Sequence, residues 1–132
     1  MDTTASPTPL AVVIDDEAII LAGMEIMLDT WGYRVVAAED ADTALKALAT
    51  APTPSLILSD YRLRNGVSGV DAIRAVREAC GVSVPAILLT GDTGAGLVAA
   101  AQRDGLTILH KPVQPADLRR HIERLVGAAV SS

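Results

Sequence analysis

Leu10-Ala11-Val12-Val13-Ile14-Asp15-Asp16-Glu17 is the stretch on which the reading of this chain turns. Five apolar residues in a row, cut off by three acids, suggest a strand buried on both faces that delivers carboxylates at its carboxyl end. From Glu17 to Asp29 the spacing becomes helical. Ile20, Met24, Met27, Leu28 and Trp31 fall on one stripe, and Gly32 ends the helix.

The same cycle recurs downstream. Strands are expected over 33–37, 55–59, 85–89 and 106–109, and helices over 41–50, 70–79, 97–104 and 115–126. Asp40 or a neighbour is placed to cap the second helix, and Pro115 suits the first turn of the last, whose buried face runs through Leu118, Ile122 and Leu125. Five aliphatic strands alternating with five helices imply an α/β fold with a parallel sheet covered on both faces. Residues 1–9 read as a tail or linker, 10–128 as one domain and 129–132 as a C-terminal tail, with no room after Ser132 for a DNA-binding domain.

Composition narrows the function. The 132 residues carry a formal charge of −5, only 2% aromatics and no Phe, so the core is aliphatic. Residues 1–60 hold ten acids against two bases, whereas 61–132 hold six against nine. That balance argues against nucleic acid, since Arg119, Arg120 and Arg124 form the one basic cluster and read as a solvated helix face. No apolar run reaches a membrane span, and the N-terminus carries an acid rather than a basic secretory n-region. Cys80 is the single cysteine and has no base beside it. A cytoplasmic domain without direct membrane contact is expected.

Open α/β sheets place their sites at the carboxyl ends of the strands. Asp15 and Asp16 follow the first strand, Asp60 the third, Thr90 the fourth and Lys111 the fifth. Converging carboxylates repel one another unless a cation is bound, and an all-oxygen donor set suits Mg²⁺. A lysine and a hydroxyl nearby suit phosphoryl oxygens, and an aspartate is available as nucleophile. The constellation reads as a phosphoryl-transfer site.

VVIDDEA (12–18), LILSDYRL (56–63), VPAILLTGD (84–92) and LHKPV (109–113) together resemble the receiver domains of two-component response regulators, over about 11–126. The resemblance implies a flavodoxin-like, CheY-like (βα)5 domain with strand order 2-1-3-4-5, phosphorylated on Asp60. It implies a Mg²⁺ site at Asp15, Asp16, Asp60 and the backbone carbonyl of Arg62, a switch hydroxyl at Thr90, a phosphate-pairing lysine at Lys111 and a cis bond before Pro112. DYRLRNG, TGDT and LHKPVQP look most like receivers attached to hybrid sensor histidine kinases, although a single-domain regulator fits as well. The loop after Asp60 lacks the proline common in the family and reaches Gly69 one residue late. Ile108 stands where many members carry an aromatic switch residue.

Partners implied are a histidine kinase dimerisation domain or a histidine phosphotransfer protein, with a weak homodimer left open. Ile19, Ala22, Gly23 and Ile26 form a second apolar set on the first helix and, with Pro112, are the expected docking residues; the alternative is a helix with a broad buried face. Arg62 and Asp92, each two residues past a site residue, are expected to pair across the phosphoryl group and modulate its lifetime. Gly91–Gly96 has no Lys-Ser or Lys-Thr after it and reads as a loop and frayed helix start rather than a phosphate cradle. His110 and His121 lack ligand-spaced partners and read as surface or packing residues. The competing class is a Mg²⁺-dependent phosphatase or flavin binder of similar topology. An aspartyl phosphatase wants a second Asp where Arg62 stands, and a flavin wants stacking aromatics, for which Trp31, Tyr33 and Tyr61 are a poor supply. The chain is therefore expected not to be an enzyme beyond its own phosphorylation and dephosphorylation at Asp60.

Overall fold

In a computed structural model of the chain, which describes residues 8–91 and 94–131, strands and helices alternate from end to end. The expectations for 1–7, Asp92 and Ser132 lie outside the described residues. Strands β1 (Leu10–Ile14), β2 (Arg34–Ala38), β3 (Leu56–Asp60), β4 (Ala86–Thr90) and β5 (Thr107–His110) form one parallel sheet in the order β2-β1-β3-β4-β5. Helices α1 (Ala18–Thr30), α2 (Ala41–Leu48), α3 (Gly69–Cys80), α4 (Ala95–Asp104) and α5 (Pro115–Ser131) connect the strands or close the chain.

The sheet separates two aliphatic layers, because successive strand residues point to opposite faces. Val12, Ile14, Ile57 and Leu88 meet Ala44 of α2, Ile73 and Val76 of α3 and Leu97 of α4. Ala11, Val13, Leu58 and Ile87 meet Leu21 and Leu28 of α1 and Leu118 and Ile122 of α5. Full burial of each Val, Leu or Ile side chain stabilises by about 1.5–3 kcal/mol, so a core nearly without aromatics suffices.

Boundaries move by a residue or two from the sequence pattern. Asp60 and Thr90 belong to β3 and β4 rather than following them, since both stay in register with the next strand. Gly94 is the N-cap of α4, which begins at Ala95 and so holds Gly96 inside the helix. Helix α5 continues to Ser131, past the Val126 at which the apolar stripe stops. Asp40 caps α2, its Oδ1 accepting the Thr43 N–H at 2.8 Å.

One correction concerns the rotation of α1. Ile20, assigned to the core stripe, is 38% exposed, and the buried face runs through Leu21 and Leu28 with Met24, Met27 and Trp31 packed beside them. The helix is apolar on almost every side, so the pattern has little contrast and packing sets the rotation. Cys80 ends α3 half-buried, His110 is exposed and His121 half-buried. Among the described residues no helix is long and apolar enough to cross a membrane.

Candidate functional site

Three carboxylates meet at the carboxyl edge of the sheet. Asp15, Asp16 and Asp60 each offer an oxygen within 4.8 Å of the others. Adjacent strands β1 and β3 set this distance. Asp60 is the last residue of β3, and Asp15 follows β1, its N–H bonded to the Ala38 carbonyl at 3.1 Å. Asp15 and Asp60 are only 3% and 8% exposed, so they stand at the bottom of the site, with Asp16 half-buried above them.

The opposite charge comes from Lys111. Its N–H donates to the Thr90 carbonyl at 2.8 Å, which brings the residue after β5 alongside the end of β4, and its Nζ lies 2.8 Å from Asp60 Oδ1. Burial works against the charged ammonium, but the hydrogen bond and charge of Asp60, aided by Asp15 and Glu17, outweigh it and raise the Lys111 pKa. Burial raises the Asp15 pKa; the Glu17 N–H, donated at 2.9 Å, opposes this, while the Asp60 charge adds to it. A donor set of three hard carboxylate oxygens, one of them held against its charged form, fits a hard divalent cation. The Lys111–Pro112 bond is cis, as the resemblance implies.

The other expected residues take the following places. Thr90 is buried at the end of β4, and Ile108 is half-buried in β5, packed against the layer beneath α3 and α4. The Arg62 guanidinium lies 5.9 Å over the Tyr61 ring, and its expected partner Asp92 lies outside the described residues. Ile19 and Ile26 are 88% and 68% exposed, and Ala22 and Gly23 are exposed between them, so the broad-buried-face alternative for α1 is wrong. Pro112 is exposed as well.

Two features escaped the sequence. Gly69 packs so tightly behind β3 that a Cβ on it would collide with the Asp60 carbonyl oxygen and stand 2.8 Å from Leu88 Cδ1 and 2.9 Å from Ser59 Oγ. Its own N–H donates to the Tyr61 carbonyl at 2.7 Å. Spacing marks Gly69 as late in the loop but says nothing of this close approach. The second is Arg64, which donates to the Asp16 carbonyl at 3.0 Å and sits 3.8 Å from the Asp16 carboxylate and 3.9 Å from that of Glu39. The loop after Asp60 folds into a 3-10 turn at Arg64–Gly66, with Asn65 at φ 62. A basic residue in a loop reads as solvated, so only the turn reveals it.

A doubly wound α/β domain with an acid cluster, a buried acceptor-like aspartate and a lysine at its strand ends defines a class: a phospho-accepting signalling domain. The family model for the response regulator receiver domain matches residues 11–123, and the chain belongs to that family. It is 30% identical over 128 residues to the two-component response regulator PprB of Pseudomonas aeruginosa, covering 95% of this chain and 46% of that protein. It is 25% identical over 120 residues to the two-component response regulator ORR5 of rice, covering 89% of each. The chain thus spans about half the length of some curated relatives and most of others. Among solved structures, the chemotaxis protein CheY4 of Vibrio cholerae superposes with a TM-score of 0.79 at 25% identity, covering 90% of this chain and 99% of that one. The receiver domain of an HD domain-containing protein from Pseudomonas fluorescens gives 0.83 at 26% identity, covering 98% and 95%.

Proposed function

We propose that this receiver domain takes a phosphoryl group from a phosphohistidine onto Asp60 and passes the signal on by a change of shape. The observation that carries the reading is the Asp60 carboxylate, buried at the end of β3 with Lys111 Nζ at 2.8 Å and two further carboxylates within 4.8 Å. An Asp60 oxygen attacks phosphorus, the P–N bond to the donor imidazole breaks, and an acyl phosphate remains. Asp15, Asp16 and Asp60, with the Arg62 carbonyl, would hold Mg²⁺, which when bound offsets charge between two anionic reactants. Lys111 pairs with the new phosphoryl oxygens, and Thr90 turns toward them. Ile108 lacks the bulk of an aromatic, so the response passes through backbone and aliphatic packing rather than through rotation of a ring.

The donor is a histidine kinase dimerisation domain or a histidine phosphotransfer protein. The exposed face of α1 formed by Ile19, Ala22, Gly23 and Ile26, with Pro112 nearby in the site's last loop, supports a docking surface beside Asp60. The domain works in the cytoplasm, as part of a hybrid histidine kinase or as a separate regulator, and turns over no external substrate.

Incubation with acetyl phosphate and MgCl₂, followed by intact mass measurement, tests the central step. One phosphoryl adduct is expected on the wild-type chain and none on Asp60→Asn, whose amide is a poor nucleophile. Labelling of Asp60→Asn, or steady hydrolysis of phosphomonoesters without a retained adduct, would refute the reading.

A further inference from the structure

Arg64 opens the 3-10 turn at the tip of the loop after Asp60. The loop closes on itself through a bridge between Arg62 and Ser68 and a hydrogen bond from Leu63 N–H to the Val67 carbonyl at 3.0 Å. At its tip Asn65 and Gly66 take left-handed backbone, φ 62 and 72, which turns the chain sharply. The turn sends the Arg64 side chain across to the β1–α1 and β2–α2 loops. There it bonds the Asp16 backbone at 3.0 Å and lies between the carboxylates of Asp16 and Glu39 at 3.8 and 3.9 Å.

Asp16 is also one of the three acids whose oxygens converge within 4.8 Å. A guanidinium cannot deprotonate at working pH, so its charge is permanent. We propose that Arg64 is a built-in competitor of the divalent cation, a tethered positive charge that lowers the affinity of the acid cluster for Mg²⁺ and so sets how much metal the domain needs before it can be phosphorylated. The inference rests on the reading of Asp15, Asp16 and Asp60 as a Mg²⁺ site.

The geometry favours competition over support. Arg64 donates hydrogen bonds and has no acceptor with which to ligate a metal. Its side chain is two-thirds exposed and, apart from its 3.0 Å bond to the Asp16 carbonyl, makes carboxylate contacts longer than a normal hydrogen bond, so its hold on the carboxylates is loose enough to yield. Glu39 lies close enough to retain the guanidinium once it leaves Asp16.

Titration of the metal-free chain with MgCl₂, followed by calorimetry, reads the effect without any phosphodonor. A unit charge several ångströms from a divalent ion, in a solvent-exposed and partly screened setting, should change affinity by about five-fold. Arg64→Gln is therefore expected to bind Mg²⁺ about five-fold tighter than wild type, by the same Coulomb arithmetic. Arg64→Lys, which restores the charge, should return toward the wild-type constant. An unchanged or weaker constant in Arg64→Gln, with wild type binding normally, would overturn the inference and leave the metal site standing. So would an Arg64→Lys constant equal to that of Arg64→Gln, because the effect would then not be one of charge. Absence of Mg²⁺ binding in both wild type and Arg64→Gln would overturn it together with the metal reading.

Discussion

Asp15→Asn should stabilise the metal-free domain. Asp15 is 3% exposed and shares the strand ends with Asp60 and Asp16, at oxygen distances within 4.8 Å. At that separation two unit charges repel by about 1 kcal/mol in water and about 3–4 kcal/mol at an effective dielectric of 20. Lys111 returns part of this, so the net gain from removing the Asp15 charge is about 1–2 kcal/mol, or roughly 3–6 °C in Tm for a domain of this size. The Asn amide oxygen can still accept the Glu17 N–H, so the local turn survives. The pH dependence follows from the direction of the shift. Burial raises the Asp15 pKa above its ordinary 3.8, so the folded state holds the proton more tightly than the unfolded chain. Its contribution is then fully present below the unfolded value and is lost as pH rises through the folded one. The Tm gap between variant and wild type should be full at pH 7 and narrow as pH falls toward 4. Thermal unfolding by circular dichroism, with chelator present, measures it. On the proposed reading, saturating MgCl₂ should raise the wild-type Tm far more than that of the variant, since binding at about 100 times Kd adds about 2.7 kcal/mol. A lower Tm for Asp15→Asn at pH 7 in chelator would refute the reasoning, and so would a gap that does not change with pH.

Two further outcomes test neighbouring parts of the site. Gly69→Ala should destabilise by at least about 1–3 kcal/mol, because the new Cβ meets backbone rather than a movable side chain, and urea unfolding reads it; a wild-type midpoint would show that α3 shifts freely behind Asp60. Ile26→Asp should leave stability and acetyl phosphate labelling near wild type while slowing transfer from a phosphohistidine protein about ten-fold or more, since apolar anchors carry most of an interface's energy; equal loss by both routes would place the defect in the site rather than in docking.

The architecture is legible because each strand is a nearly continuous aliphatic run and each helix carries its own start or stop. Asp40 before α2 and Gly81 after α3, the latter at φ 74, do locally what their types suggest. In the sequence Asp60 and Thr90 read as lying just beyond their strands, because polarity marks a strand's end there. In the folded chain their backbones continue the ladder, and both residues stay buried at the edge of the sheet. The rotation of α1 could not be read, since Ile19, Ile20, Leu21, Ala22, Met24, Ile26, Met27 and Leu28 surround the helix with apolar side chains. Periodicity works by contrast, and here the contrast is supplied only by the sheet and by α5.

Lys111 and Arg64 differ in how they are held beside the acid cluster, and on the proposed reading that difference bears on what the domain can sense. Lys111 leaves directly from β5, its backbone bonded to Thr90, and its Nζ pairs with Asp60 at 2.8 Å. It is tied to the acceptor itself, so on the proposed reading any charge added to Asp60 pulls on β5 and on the end of β4. Arg64 leaves from a loop tip and meets Asp16 at the outer rim, at longer range. A charge arriving at the rim is therefore met by a movable side chain, while a charge arriving at Asp60 is met by a residue continuous with the sheet. On the proposed reading, metal entry at the acid cluster and phosphorylation at Asp60 would therefore act on different parts of the fold. Strand ends legible in the sequence would supply the second response, and the turn at Asn65 and Gly66, visible only in the folded chain, would supply the first.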